Sequence, residues 1–295
     1  MSDPGGTEVD RLLRGRLAEL AGQVRRAEAM VRAEEAEGVH DLRVAMRRAR
    51  SLLVSFEDLL RWPATQRLVE DLRWSAAELS GLRDVEVVQE RLEVLLVADP
   101  VELLLGPVSA RVADHVRAAR ASELVRVQEL LADNPPRLLA DELERVVAEA
   151  PGSASVDDVR RRLRQDWRRT RRRAGRAAAL PAGDRALDAA LHDVRKAAKR
   201  ARYAAETLKP LLGERAEEME KAAEAVQQAL GDHRDTLLTR AALRQMGVQA
   251  HLDRQNGFSF GRMHALEQVA GEGYLEVYAT ARDRLDAKRL RRWLR

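Results

Sequence analysis

The sequence predicts an all-α protein. Hydrophobic residues make up 45% of the 295 residues, but aromatic residues only 3%, so Leu, Val and Ala must fill the core, as is common where helices pack on helices. Apolar residues recur every three or four positions, for example over residues 10–33, and no stretch sustains the alternation of a β-strand. At about 150 residues per domain, the length suits two domains or two halves of one unit.

Proline, glycine and small polar residues mark the expected ends of helices. Such breaks fall at 62–65, 97–102, 133–137, 150–155, 180–184, 208–214, 247–248 and 254–261. Ser155 or Asp157 is placed to cap a helix that runs through the 160s. The Gly, Ser and Pro cluster at 151–155 is the strongest midpoint boundary, so we predict one half at 7–150 and a second at 155–290.

Two motifs occur twice in the chain. VHDLRVAMRRAR at 39–50 returns as LHDVRKAAKRAR at 191–202, and LSGLRD at 79–84 returns as LGDHRD at 230–235. The two motifs recur in the same order and at nearly the same distance along the chain. This indicates an internal duplication that yields two similar helical bundles.

The first motif places a histidine and three cations on one side of a helix. At about 100° per residue they share a stripe roughly 80° wide, opposite an apolar face. The stripe comprises His40, Arg43, Arg47 and Arg50 in the first copy, and His192, Arg195, Lys199 and Arg202 in the second, where Lys196 and Tyr203 widen it. One interpretation is a solvated helix face. Solvated faces, however, usually intersperse carboxylates, and these stripes contain none, so we favour a binding surface for an anion.

A third basic run, at 159–176, holds ten arginines and one aspartate. Within it, Arg164, Arg168 and Arg171 are placed to line a groove beside the stripe of the second copy. With arginines on nearly every side of this helix, some must be solvated.

The chemistry of these stripes favours a phosphate polymer. Arg offers planar, often bidentate donors to phosphate and Lys a compact charge, so a sulfate or phosphate ion would also suit the basic pocket. Proteins that bind single-stranded nucleic acid add aromatic side chains on which bases stack, and only Tyr203 interrupts the stripes. A nucleic-acid-associated protein that uses the third basic run remains the alternative.

Other classes of function have weaker support. The chain has no cysteine, which excludes disulfides and thiolate chemistry and fits a reducing compartment. No leader or membrane span is visible, so we expect a cytoplasmic protein. Its six histidines lack metal-binding spacing and no catalytic motif occurs, so we expect no cofactor, metal or catalysis. The alternatives are a metal site at His40 and His192, a purely structural role for both, and an enzyme that acts on polyphosphate.

The acidic residues of the second motif have a simpler interpretation. Asp84 follows Arg83 and Asp235 follows Arg234. We interpret them as matched ion pairs at the starts of two helices.

The two H-D-x-R-x-x-x-[RK]-R-x-R segments, each followed by L-x-x-x-R-D, resemble the CHAD family (conserved histidine α-helical domain) over roughly residues 7 to 290. The resemblance implies two pseudo-symmetric antiparallel four-helix bundles that together form one module, with basic faces that converge on a central pocket. It also implies polyphosphate binding and targeting to polyphosphate granules, without catalysis. The second downstream element, GDHRD, departs from the family at Arg234, because an asparagine before the aspartate is more familiar there, and no E-x-E-x-K signature of the CYTH domain often fused to it is present. The predicted polyphosphate-binding residues are His40, Arg43, Arg47, Arg50, His192, Arg195, Lys196, Lys199, Arg202, Tyr203, Arg164, Arg168 and Arg171.

Overall fold

The computed structural model describes residues 7–35, 37–60, 64–149, 152, 154–181 and 183–293, without the side chains at 288 and 291. These residues contain helices and no strand, which confirms the all-α class. The helices are α1 (Glu8–Arg32), α2 (Gly38–Ser55), α3 (Thr65–Glu78), α4 (Ser80–Ala98), α5 (Val108–Asp133), α6 (Pro136–Glu149), α7 (Val156–Ala178), α8 (Leu187–Leu212), α9 (Glu214–Leu252), α10 (Phe258–Leu285) and α11 (Lys288–Trp293), with a short 3-10 turn at Val101–Leu103.

The two halves begin in the same way. The Thr7 hydroxyl accepts from the backbone N–H of Asp10 while the Asp10 carboxylate accepts from the backbone N–H of Thr7, and Ser155 and Asp158 repeat this capping box at the start of α7. Each box satisfies N–H groups that a helix start leaves without partners. Ser155 is therefore the predicted cap of α7.

One predicted break is wrong. Helix α9 continues through residues 247–248 to Leu252. A Cβ on Gly247 would lie 3.5 Å from the Cβ of Phe260 in α10, so α10 packs closely against this turn. Tertiary packing here overrides the low helix propensity of glycine. The predicted break at 62–65 lies partly outside the described residues.

The helices of the two halves correspond in order and spacing. Helices α1, α2 and α5 match α7, α8 and α10, while α3 and α4, which meet at Leu79, together match the single long α9. This correspondence is what an internal duplication predicts.

The hydrophobic core is shared between the halves. Its main cluster combines fully buried side chains of both, such as Leu17 and Leu53 with Leu163 and Trp167. A second cluster lies where the end of α4 and the start of α5 meet the end of α9 and the start of α10. Helices α2 and α8, which carry the duplicated motif, contact each other within this arrangement. The division at 7–150 and 155–290 stays a prediction.

Among the residues that the structure describes, no helix has the length and apolar character needed to cross a bilayer.

Candidate anion-binding site

Five cations gather where α2 and α8 meet. Arg43 and Arg47 come from α2, Arg195 and Lys199 from α8, and Arg234 from α9; all are only partly exposed. The charges of the four arginines all act on the Lys199 ammonium. We call these five residues the central cluster. The packing of α2 on α8 brings together two cations from each copy of the motif.

Burial makes the positive charge of the central cluster costly. Burial, followed by the charges of Arg195, Arg47, Arg43 and Arg234, lowers the pKa of Lys199 to about 6. Burial and the charge of Arg47 likewise lower the pKa of Arg43 to about 10. Desolvation and neighbouring like charge both disfavour a protonated amine or guanidinium. An anion placed here would offset both effects.

The cations from α2 and α8 lack salt-bridge partners among the described residues, although the charge of Asp235 acts on Arg195 and that of Asp84 on Arg43. None of Arg43, Arg47, Arg195 and Lys199 forms a salt bridge with another described residue. The Nε atoms of Arg43, Arg47 and Arg195 are buried without a hydrogen-bond acceptor among the described residues. Because buried polar atoms in proteins are nearly always paired, these donors are suited to the oxygen atoms of a ligand.

The fifth cation, Arg234, is paired across the two halves. Its guanidinium donates two hydrogen bonds to the Asp84 carboxylate, at 3.1 and 2.7 Å. Arg83 instead contacts Glu86 and Glu90 on its own helix. The interpretation as matched helix-start pairs is therefore wrong for Asp84, which pairs with Arg234 and not with Arg83. Asp235 does lie 3.9 Å from Nη1 of Arg234 beside it, but not at a helix start. Residue 84 does lie in the first turns of α4, but 235 lies in the middle of α9 because α9 is not divided there.

Gly231 provides space for a guanidinium of the cluster. A Cβ at this position would lie 3.2 Å from Nη2 and 3.4 Å from Nε of Arg195. Sequence reasoning did not single out this residue. A signal was present, because a glycine inside a long helix costs up to about 1 kcal/mol relative to alanine and often indicates a close approach.

Of the two histidines of the motif, His192 lies near the cluster, within reach of the charges of Arg195 and Arg234. His40 is partly exposed and His192 exposed. Desolvation on its shielded side, then the charges of Lys196, Arg234 and Arg195, lower the pKa of His192. A neutral imidazole still donates one hydrogen bond, so His192 keeps a donor near the cluster.

Two predicted binding cations of the second copy have carboxylate partners. Lys196 lies 2.8 Å from Asp193, one turn back on α8. Arg202 lies 2.8 Å from Glu224 on α9. Arg50, which matches Arg202 in the first copy, has no such partner among the described residues.

Tyr203 is buried rather than displayed as a stacking platform. Its exposed fraction is 9%, and the guanidiniums of Arg48 and Arg202 lie 5.6 and 5.8 Å from the ring centre. Both contacts are cation–π interactions, so the ring helps to hold these arginines in position.

Two of the predicted arginines of α7, Arg168 and Arg171, line a depression of their own. Arg171 pairs with Asp286, directly after α10, and Arg164 is partly buried and has an interaction partner. Gln165, Arg169 and Arg172 line the same depression.

A buried acidic residue anchors α7 to the duplicated helices. Asp166 is 2% exposed and accepts from the Ser55 hydroxyl of α2 at 2.7 Å. Its carboxylate also lies 2.8 Å from Nε of Arg200 on α8 and 3.1 Å from Nη1 of Arg169. Spacing along α7 does not identify this contact, because Ser55 and Arg200 lie on other helices.

No group of three or more His, Asp or Glu side chains suited to a metal ion occurs in the part of the chain that the structure describes.

The fold and the central cluster define an all-α protein in which cations from α2, α8 and α9 gather, four of them without a salt bridge to another described residue. The chain belongs to the CHAD domain family, whose sequence profile matches residues 15–244. This confirms the resemblance noted in the sequence.

Similar proteins support this assignment. Two uncharacterized proteins of Mycobacterium tuberculosis, MT2285 of strain CDC 1551 and Rv2226 of strain H37Rv, are each 30% identical over 259 residues. The match covers 87% of this chain but 49% of each relative, so the chain spans about half the length of these proteins.

Solved structures share the fold. PptA from Streptomyces chartreusis has a TM-score of 0.74 at 21% identity, covering 94% of this chain and 99% of its own. The CHAD domain from the plant Ricinus communis has a TM-score of 0.71 at 23% identity, covering 97% and 94%. At these identities the likeness shows the fold alone.

Proposed function

We propose that this chain binds inorganic polyphosphate at the central cluster, without catalysis, and that this affinity brings it to polyphosphate granules in the cytoplasm. The observation that carries the proposal is the meeting of Arg43, Arg47, Arg195 and Lys199 without a salt-bridge partner among the described residues. Because the cations come from two helices, they suit a chain of phosphates better than they suit a single phosphate ion. Membership of the CHAD family supports the same ligand.

The aromatic residue of the basic stripes argues against single-stranded nucleic acid as the ligand of the central cluster. Base stacking needs exposed rings, whereas Tyr203 is buried among arginines. The second candidate function is nucleic-acid binding through α7, where Arg168 and Arg172 are exposed and line a depression of their own. Phosphate backbone contacts alone would supply such binding.

A competition titration distinguishes these functions. We expect long-chain polyphosphate to stay bound near physiological salt in the presence of single-stranded DNA and heparin. Equal displacement by both competitors would contradict a dedicated site, and tighter binding of DNA would favour α7. Incubation with magnesium or manganese should release no phosphate.

A double variant locates the site. Arg47→Ala with Lys199→Ala should weaken polyphosphate binding at least about 100-fold, because two charge-assisted contacts are removed. The matched control is Arg67→Ala with Lys221→Ala, whose side chains are 86% and 71% exposed. Circular dichroism and thermal melting should show both variants folded. Unchanged binding by the first variant would reject the central cluster.

A further inference from the structure

The basic stripes of α2 and α8 end differently. One helical turn beyond Arg47 and Lys199, respectively, α2 carries Arg50 and α8 carries Arg202. Burial, followed by the charge of Arg73 on α3, lowers the pKa of Arg50. The Nη2 atom of Arg202 instead lies 2.8 Å from Glu224 of α9, and its Nη1 donates to Gln227 at 3.4 Å.

The neighbours that differ occupy matching positions. Arg73 stands six residues before Leu79 of the first LxxxRD element, and Glu224 six residues before Leu230 of the second. Helix α3 also corresponds to the first part of α9 in the order of the helices. One end of the pseudo-symmetric arrangement therefore has two adjacent cations where the other has an ion pair.

The surroundings of Glu224 add to this difference. The first turns of α9 carry four further acidic residues, at positions 214, 217, 218 and 220. Lys209 and Lys221 pair with two of them, Glu220 and Glu217. A polyanion that approached Arg202 would have to displace Glu224 and pass these carboxylates. The Nε atoms of Arg50 and Arg202 are both buried without an acceptor among the described residues, so the difference between the two ends lies in the carboxylate beside Arg202.

We propose that a phosphate chain held by the central cluster leaves it on one side only, along Arg50 and Arg73, while Glu224 closes the matching path at Arg202. This inference rests on the proposed function and gives the bound polymer a defined course across the protein. A short oligophosphate would occupy the central cluster alone. A long chain would in addition contact α3.

The test compares ligand lengths. Arg73→Ala should weaken binding of long-chain polyphosphate about fivefold, and lower the slope of log Kd against log salt by about one, as expected for one lost phosphate contact. Binding of tripolyphosphate should not change. Arg67→Ala on the same helix, where the side chain is 86% exposed, is the control and should leave both ligands unaffected. Equal behaviour of the two variants would overturn the proposal.

A reciprocal variant tests the closed side. Glu224→Gln removes the carboxylate partner of Arg202 and should tighten long-chain binding about twofold to fivefold, again by one phosphate contact. Unchanged affinity for the long chain would show that Glu224 does not close this side and would overturn the proposal. If the unmodified protein binds no polyphosphate, the proposed function itself fails, which separates the two conclusions.

Discussion

The Asp84 carboxylate accepts two hydrogen bonds from the Arg234 guanidinium, at 3.1 and 2.7 Å, and thereby joins α4 of the first half to α9 of the second. The pair both connects the halves and neutralises one cation of the central cluster. Hydrogen bonding to Asp84 raises the pKa of Arg234 against the effect of burial. Stability and anion affinity therefore depend on Asp84 in opposite directions.

Replacing Asp84 with Asn should separate these two effects. We expect the free energy of unfolding to fall by about 1 kcal/mol, between the values for exposed and buried pairs. Polyphosphate affinity should rise severalfold, since Arg234 is released for the ligand. Denaturant unfolding and a binding titration measure the two changes. Asp41→Asn, on the exposed side of α2, is the control, and a loss of affinity in the Asp84 variant would contradict this account.

Lys199 should make polyphosphate binding dependent on pH. With a pKa of about 6 in the free protein, its amine is largely neutral at neutral pH, and a polyanion favours the protonated form. Binding should therefore take up close to one proton at about pH 7.5, and affinity should decrease as pH rises from about 6 to 8. Calorimetry in Hepes and in Tris measures the uptake, which Lys199→Met should abolish.

The same residue should affect folding stability. An unfolded lysine keeps its pKa near about 10.4, so between that value and about 6 the unfolded state binds more protons than the folded state. The contribution of Lys199 to the free energy of unfolding therefore rises with pH over this window. In the Lys199→Met variant this dependence should disappear and the melting temperature at about pH 7 should increase. A lower melting temperature would show that the amine is stabilised in its charged form.

Gly231 offers a way to disturb the site without destabilising the fold. In Gly231→Ala the new Cβ would meet Nη2 of Arg195 at 3.2 Å, and the flexible guanidinium must move away. Because alanine has a higher helix propensity than glycine, the melting temperature should stay the same or rise. The free energy of unfolding should increase by up to about 1 kcal/mol. Loss of one charge-assisted contact should weaken polyphosphate binding about tenfold.

The control for this variant is Gly15→Ala. A Cβ on Gly15, inside α1, meets nothing within 4 Å. It should gain the same helix propensity without a change in affinity. Equal affinities in the two variants would mean that the position of Arg195 does not matter for the ligand.

Asp166 should prove structural. Asp166→Ala removes the buried carboxylate that Arg200 and Ser55 contact and should lower the free energy of unfolding by about 3 kcal/mol, as when one partner of a buried pair is removed. Asp157→Ala, whose side chain is 88% exposed on the same helix, should cost far less. Urea unfolding measures the difference, and comparable losses would argue against the anchor.

Local and repeated features of the sequence were sufficient to predict much of this molecule. Apolar spacing predicted the helical class, and Ser155 was correctly placed as a cap because capping needs only neighbours along the chain. The repeat of the histidine motif singled out Arg47 and Lys199, which the packing of α2 on α8 then brings together.

Features that depend on tertiary contacts were not predictable. The partner of Arg202 is Glu224, on a different helix, so no spacing rule identifies it. Asp84 pairs with Arg234 rather than with Arg83 beside it, because the choice depends on how α4 and α9 pack. The continuation of α9 through Gly247 likewise depends on α10.

The packing of α2 on α8 also determines how many protein molecules are needed to hold one phosphate chain. A phosphate chain held by Arg43 and Arg47 meets Arg195 and Lys199 at a separation that the shared core keeps constant. On the proposed function, the second capture is an intramolecular step with a high effective concentration. A single copy of this protein can thus grip the polymer as a bivalent receptor, at protein concentrations too low for two separate half-sites to act together.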